Sequence, residues 1–257
     1  MRLLPSIAAI MVVTACVPAA DAGGKLGVVM IHGKQGRPAQ FDSYEAPLTA
    51  AGFLTARPVM CWSRERIYDK PYPDCLAEID AAADRLKARG ATTIAIVGMS
   101  LGGNAALAYG ARHAGLAAIV ALAPAHDTAT VDRRPDIAES IARARALVAQ
   151  GRGDIKTDFS EINRGVDFVV TTTPRIYLSF HGPDSIAAMT ANVPRLSVPL
   201  LWIAGSEDRS QRYAAQAFAL APKNPLNRFV TVESGHLGTV AAGRQAVLDW
   251  LKQVESR

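Results

Sequence analysis

Short apolar runs punctuate this chain at intervals, each bounded by polar or glycine-containing stretches. Residues 26–31, 53–59, 93–97, 116–122, 200–204 and 228–232 are the runs in question. Such runs, short and with little polar alternation, read as strands covered on both faces, the pattern of a parallel sheet. Helical periodicity fills the spaces between them. Leu76, Ile79, Ala83 and Leu86 share one helical face, with Asp74 as candidate N-cap and Gly90 as stop. Residues 104–114 read as a second helix, and Val240, Val247, Trp250, Leu251 and Val254 mark the last one. The alternation predicts an α/β fold, a doubly wound, mostly parallel six-stranded sheet with helices on both faces.

The alternation breaks once, which divides the expected domain into core segments 25–125 and 198–257 around an insert at 126–197. Pro135 opens a helix whose Ile137, Ile141, Ala144 and Val148 share a face, and Gly151-Arg152-Gly153 ends it. A polar stretch and a second apolar segment at 173–180 follow. A structureless connection of this length is improbable in a compact domain, so the insert is expected to be a small helical cap over the sheet. Its acidic and basic residues balance.

Composition narrows the classes further. Of 257 residues, 49% are hydrophobic and 20% charged, which excludes a disordered or collagen-like chain. The net charge of +5 is scattered, with no basic run and no interleaved aromatics, so no nucleic-acid partner is expected. No apolar run reaches the ~18 to 20 residues that span a bilayer. Residues 1–22 read instead as an export leader: Arg2 supplies the charge, residues 7–13 the apolar core, and small residues the exit. Two processing sites compete. Ala20-Asp21-Ala22 fits ordinary signal cleavage, whereas Val13-Thr14-Ala15-Cys16 resembles the bacterial lipobox, in which the cysteine is lipidated. The expectation is an exported protein of the bacterial cell envelope, touching the membrane only through a lipid on Cys16, with a periplasmic or secreted form as the alternative. Disulfides persist outside the cytosol, and Cys61 and Cys75 are expected to form one. The cysteines lack paired zinc spacing, and no metal is expected.

The chemistry concentrates at a strand-to-helix turn. Residues 93–97 run into Gly98-Met99-Ser100-Leu101-Gly102-Gly103, a G-x-S-x-G sequence in the setting of a nucleophile elbow. A turn sharp enough to lift a serine clear of the sheet brings strand and helix so close that side chains at 98 and 102 would clash, and glycine removes them. Ser100 would then stand at a helix N-terminus, where free N–H groups favour developing negative charge. A serine hydroxyl needs a base. His236 lies in the loop after the last strand, at the same rim of the sheet. His126 and His181 are the next candidates, while His113 reads as a helix-end residue and His32 as a packed structural one. The base needs an orienting carboxylate. Asp208, just beyond the strand at 200–204, fits best, with Glu207 and Asp127 as alternatives and helix capping as its non-catalytic role.

Serine, aspartate and histidine in that chain order, with an elbow at the serine, resemble the α/β-hydrolase superfamily, in particular small bacterial esterase-like members with a cap. The resemblance spans about residues 25–251. It implies that Ile31-His32-Gly33-Lys34 supplies one oxyanion-hole amide, from Lys34, and that Leu101 supplies the second. Three departures accompany it. The family's first two strands are missing, the Gly-Gly-Gly hole of some esterases is absent, and the elbow carries Ser rather than Asp or Cys. The resulting expectation is a serine hydrolase of carboxylic esters that needs no cofactor and acts on a small-molecule acyl substrate. Peptidases, thioesterases and perhydrolases use the same three groups, and a non-catalytic envelope binding protein on this fold is the reading from another class. Phe159, Phe168, Tyr177 and Phe180 either line an acyl pocket or pack the cap, and packing is the simpler role. Arg64 and Arg66 either meet an anionic group or belong to a solvated loop, and the solvated loop is the simpler role.

Overall fold

The structure, a computed structural model, describes residues 25–256. The expected leader and its Cys16 lie outside the described residues. In chain order the core opens with β1 (Lys25–Ile31), α1 (Asp42–Ala50), β2 (Leu54–Ala56), α2 (Tyr72–Ala88), β3 (Ala91–Met99), α3 (Leu101–Gly110) and β4 (Leu116–Leu122). The insert holds α4 (Thr128–Val131), α5 (Pro135–Ala149), β5 (Thr157–Asn163), β6 (Val166–Thr172), α6 (Pro174–Phe180) and α7 (Met189–Asn192). The core then resumes with β7 (Leu200–Gly205), α8 (Ala214–Phe218), β8 (Arg228–Val232) and α9 (Thr239–Glu255).

Six parallel strands form one sheet in the order β2-β1-β3-β4-β7-β8. Residues 26 to 31 of β1 are all buried, which explains the continuous apolar run. Successive side chains serve opposite faces. Val29 and Ile31 join Ile79, Leu86 and Leu107 of α2 and α3 in one core, and Val28 and Met30 join Leu48, Val247 and Leu251 of α1 and α9 in the other. The winding direction reverses between β1 and β3, so the loops leaving their carboxyl ends diverge and open a crevice there.

Three boundaries differ from the sequence pattern. The strand expected at 53–59 contracts to three residues, because β2 is an edge strand paired only with β1 and Pro58 has no N–H to extend a ladder. The helix expected at 104–114 is α3, which starts directly after Ser100. Gly102 and Gly103 are poor helix formers, yet tight packing under the sheet places them in its first turn. Helix α2 starts two residues before Asp74, which therefore lies in its first turn, where a carboxylate suits the helix dipole. Gly90 ends α2 with φ +99, as a glycine stop should.

The insert contains the expected helix from Pro135 and a second one from Pro174, with one unanticipated addition. An antiparallel hairpin, β5 with β6, lies between them, its register running from Thr157↔Thr172 to Asn163↔Val166. The sequence hides the alternation of β5, because the inward position after Phe159 is a carboxylate, Glu161, and both are buried. Phe159 stacks on Tyr177 and Phe180 on Tyr68, so these aromatics fasten the cap. Among the described residues no helix is long and apolar enough to cross a membrane.

Cys61 and Cys75 are bonded to each other across a sequence separation of 14, with Cα atoms 5.7 Å apart. The bond ties the loop after β2 to the first turn of α2. A loop of this size should contribute about 3 kcal/mol by restricting the unfolded chain. The Cys61→Ala/Cys75→Ala variant is expected to lose about that much in urea unfolding, and an unchanged midpoint would refute the contribution.

Candidate active site

Strand β3, helix α3 and the end of β1 cross with no space for side chains. A Cβ on Gly98 would fall on the Gly102 carbonyl, and one on Gly102 would fall on the Ile31 carbonyl. The turn between them holds Ser100 at φ 56 and ψ −121, a conformation that side-chain-bearing residues rarely adopt. Hydrogen bonds on both sides of the residue keep it there. Its amide donates to Leu122 O at 2.9 Å, and its carbonyl accepts from Asn104 N at 3.0 Å and Ala125 N at 3.1 Å.

The hydroxyl meets His236, which the loop between β8 and α9 carries. Ser100 Oγ lies 2.9 Å from His236 Nε2, and His236 Nδ1 lies 2.6 Å from Asp208 Oδ2. Asp208 follows β7, and its second oxygen accepts from the amide and hydroxyl of Ser210 at 3.0 and 2.6 Å. The capping and orienting roles thus coexist, one on each oxygen. Burial alone would push this carboxyl up, but the hydrogen bonds from His236 and Ser210 outweigh it and hold it below its ordinary value. An ionised Asp208 fixes the proton on Nδ1, which leaves the Nε2 lone pair for the serine proton. The acid is almost covered, at 5% side-chain exposure, while the imidazole keeps 17%.

Leu101 opens α3, so its N–H is one of those a helix leaves without an internal acceptor. Lys34 follows Gly33, where a Cβ would stand 3.1 Å from Ser100 Cβ. Both backbone positions therefore flank the hydroxyl. The crevice holds a cavity of about 230 Å³ lined by Ser100, His236 and Lys34, and a larger one of about 520 Å³ shares these three residues.

The other candidates are committed elsewhere. Asp127 accepts from Met189 N in the cap. Glu207 is exposed beside the larger cavity. His113 stacks on Tyr109 at the end of α3. His32 is buried, bonded through Nδ1 to Gly33 O and through Nε2 to Met60 N. Arg66 is ion-paired with Asp69 and Glu78.

The sequence reading missed a buried polar cluster built on the Lys34 side chain. Lys34 Nζ contacts Glu161 Oε1 at 2.8 Å, Ile162 O at 3.0 Å and His126 Nδ1 at 3.1 Å, so its three protons are all engaged. Glu161 also accepts from Tyr68 Oη at 2.5 Å and His181 Nε2 at 3.1 Å. His181 Nδ1 faces Asp132 at 2.7 Å. A ring with a carboxylate at each nitrogen is an imidazolium. Burial works against that charge, but Glu161 and Asp132 raise its pKa above the ordinary value. His126 is the opposite case. Burial, then Lys34 and His181, push it well down, so it is neutral and donates from Nε2 to Phe180 O. A buried carboxylate demands a cation, but Glu161 reads as a surface residue until the hairpin is recognised, so the sequence carries no signal for the cluster. Scattered basic residues gave no means of choosing Lys34.

His126, Glu161 and His181 offer ligand atoms within 4.8 Å of one another, a set that a divalent cation could use. Its donors already hold a cation, the Lys34 ammonium, and both His181 nitrogens carry protons. The group fits a structural ion-pair network better than a metal.

A family model described as the alpha/beta hydrolase family matches residues 28–250. No curated protein matches the sequence. Among solved structures, a metagenome-derived lipolytic enzyme of the LipS and LipT pair is 19% identical, with 91% of this chain and 95% of that one covered and a TM-score of 0.63. Est1E from Butyrivibrio proteoclasticus, solved with ferulic acid bound, is 17% identical over 93% of each chain at TM-score 0.64. The monoacylglycerol lipase of Paleococcus ferrophilus is 15% identical, covering 90% of this chain and 96% of its own, at TM-score 0.60. At these identities the likeness establishes a shared fold.

The cluster makes a pH-dependent prediction. Burial would push Glu161 up, but Lys34 and His181 outweigh it and hold it well below the ordinary carboxylate range. Its contribution to stability is therefore present above the unfolded pKa of about 4.3 and is lost as pH falls through the lower folded value. Glu161→Gln is expected to cost about 3 to 5 kcal/mol near neutral pH, because it strands Lys34. The gap from wild type should shrink below about pH 4 in urea titrations. A constant gap across that range would contradict the assignment.

Proposed function

The chain belongs to the alpha/beta hydrolase family, and from that premise we propose that it is a serine hydrolase of carboxylic esters working through an acyl-enzyme. The observation that supports this most directly is the continuous contact from Ser100 Oγ through His236 to Asp208, at 2.9 and 2.6 Å. In this reading His236 Nε2 takes the Ser100 proton as Oγ attacks the ester carbonyl. The Lys34 and Leu101 amides stabilise the charge on the carbonyl oxygen. When the tetrahedral adduct collapses, His236 gives the proton to the departing alcohol. Water then enters, His236 takes its proton, and the new oxygen attacks the acyl carbon. The second collapse returns the proton to Ser100 and releases the acid. Asp208 keeps the imidazole in the productive tautomer throughout and stabilises its charged form.

We further propose that the protein works outside the cytosol, held in the bacterial envelope by a lipid on Cys16. The leader, with Val13-Thr14-Ala15-Cys16, motivates this, and the Cys61–Cys75 bond suits an oxidising compartment.

Two experiments test these readings. A fluorophosphonate probe is expected to label the wild-type serine, and Ser100→Ala should lose the label while its turnover of 4-nitrophenyl butyrate falls by about 10⁴-fold or more. An Ala variant that kept the parent rate would refute the mechanism. Radiolabelled palmitate is expected to enter the wild-type chain in a bacterial host and not Cys16→Ser. Equal absence from both would remove the lipid anchor.

A further inference from the structure

The smaller cavity beside Ser100 carries an electrostatic imbalance that the hydrolase chemistry does not require. Arg64 and Arg164 both line it, and no Asp or Glu does. The third cation there, Lys34, is neutralised by Glu161. Among the described residues neither arginine forms an ion pair, although nearby arginines do: Arg37 takes Glu65, the sequence neighbour of Arg64, and Arg66 takes Asp69 and Glu78. Two exposed arginines thus line the cavity that holds Ser100 with no described carboxylate within ion-pairing distance of either, although Arg64 lies close enough to Glu65 to help lower its pKa and Arg164 also borders the larger cavity with Glu207 and Asp208.

Their placement is built rather than accidental. Arg164 and Gly165 form the two-residue turn of the β5–β6 hairpin, with φ of 55 and 79. Turns with left-handed φ at both central positions favour asparagine or glycine, so turn geometry gives no reason for an arginine. The tip that carries Arg164 is pinned to the loop after β1. Asn163 Nδ2 donates to Lys34 O at 3.2 Å and to Gln35 Oε1 at 2.9 Å, and Lys34 Nζ donates to Ile162 O. Arg64 is held from the other side. Its amide donates to Gly36 O at 3.3 Å, and Gln35 N donates to Trp62 O at 2.8 Å.

We propose that this cavity is a subsite for an anionic group, so that the preferred substrate is an ester bearing a carboxylate near the scissile bond, bound by Arg64 and Arg164. The proposal rests on the ester-hydrolase reading and narrows it to a substrate class. Paired guanidinium groups match a carboxylate in charge and geometry, while a neutral chain would cover both cations without a counter-charge. The anion can sit on the acyl or on the alcohol side, and the test separates the two.

Two matched pairs decide it: 4-nitrophenyl hydrogen adipate against 4-nitrophenyl hexanoate for the acyl side, and 4-acetoxybenzoate against its methyl ester for the alcohol side. At least one anionic ester is expected to exceed its neutral partner in kcat/KM by about tenfold or more. The ratio should collapse towards one in the Arg64→Gln/Arg164→Gln variant, and should fall as NaCl rises from about 0.05 to about 0.5 M. Neutral esters matching or beating the anionic ones in both pairs would overturn the subsite, as would an unchanged ratio in the variant. If no ester is cleaved and the probe leaves Ser100 unlabelled, the hydrolase reading fails separately. Calorimetric binding of adipate then decides the subsite: affinity weakened about tenfold or more in the double arginine variant supports it, and undetectable or equal binding overturns it.

Discussion

There is no room for a side chain where β3, α3 and the end of β1 cross, and the candidate site follows from that exclusion. Any Cβ at Gly98 or Gly102 would land on a backbone carbonyl. With both positions bare, the chain turns within one residue and lifts Ser100 out of the sheet. The same closeness brings the first amides of α3 and the loop after β1 to either side of the hydroxyl. The strained φ of Ser100 persists because its own amide and carbonyl are anchored to the strand and loop beside it. A more relaxed turn would let the serine lie flat among its neighbours and would separate it from His236.

The cap extends this logic through charge. Its inward carboxylate, Glu161, receives Lys34, Tyr68 and His181 at once. The loop after β1 and the cap hairpin are therefore joined by a desolvated ion pair, and neither can shift without exposing it. Such pairs add little net stability over an apolar core but punish misplacement severely. The arrangement sorts the cations near the serine into two groups. Lys34 is consumed in holding the architecture, and Arg64 and Arg164 are left facing the crevice. Proximity to Ser100 alone would not have separated them.

How far the sequence foretold this depends on the range of each interaction. The six strands and the elbow were legible because apolar runs and paired glycines are local signals. Ser100, Asp208 and His236 could be nominated because each falls at the carboxyl end of a recognisable strand, and parallel strands share one rim. The hairpin was illegible because Glu161 occupies an inward position that an apolar residue would have marked. Its partner, Lys34, lies near the start of the first core segment, far away in sequence, so no local pattern links them. The true start of α3 was hidden for a related reason: Gly102 and Gly103 serve a packing need that overrides their poor helical propensity. The second role of Asp208, holding Ser210, was expected only as a rival to its first.

The partners in this relay come from distant parts of the chain. Ser100 and His236 are separated by 136 positions, and Asp208 and His236 by 28. His236 reaches the serine only when β7 and β8 hold its loop at the rim shared with β3. During synthesis, and in the unfolded chain, Ser100 is an ordinary alcohol with no base beside it. Latency of the proposed activity is therefore inherent in the order of the strands: the nascent chain carries Ser100 early and can place His236 beside it only when nearly the whole sheet has closed.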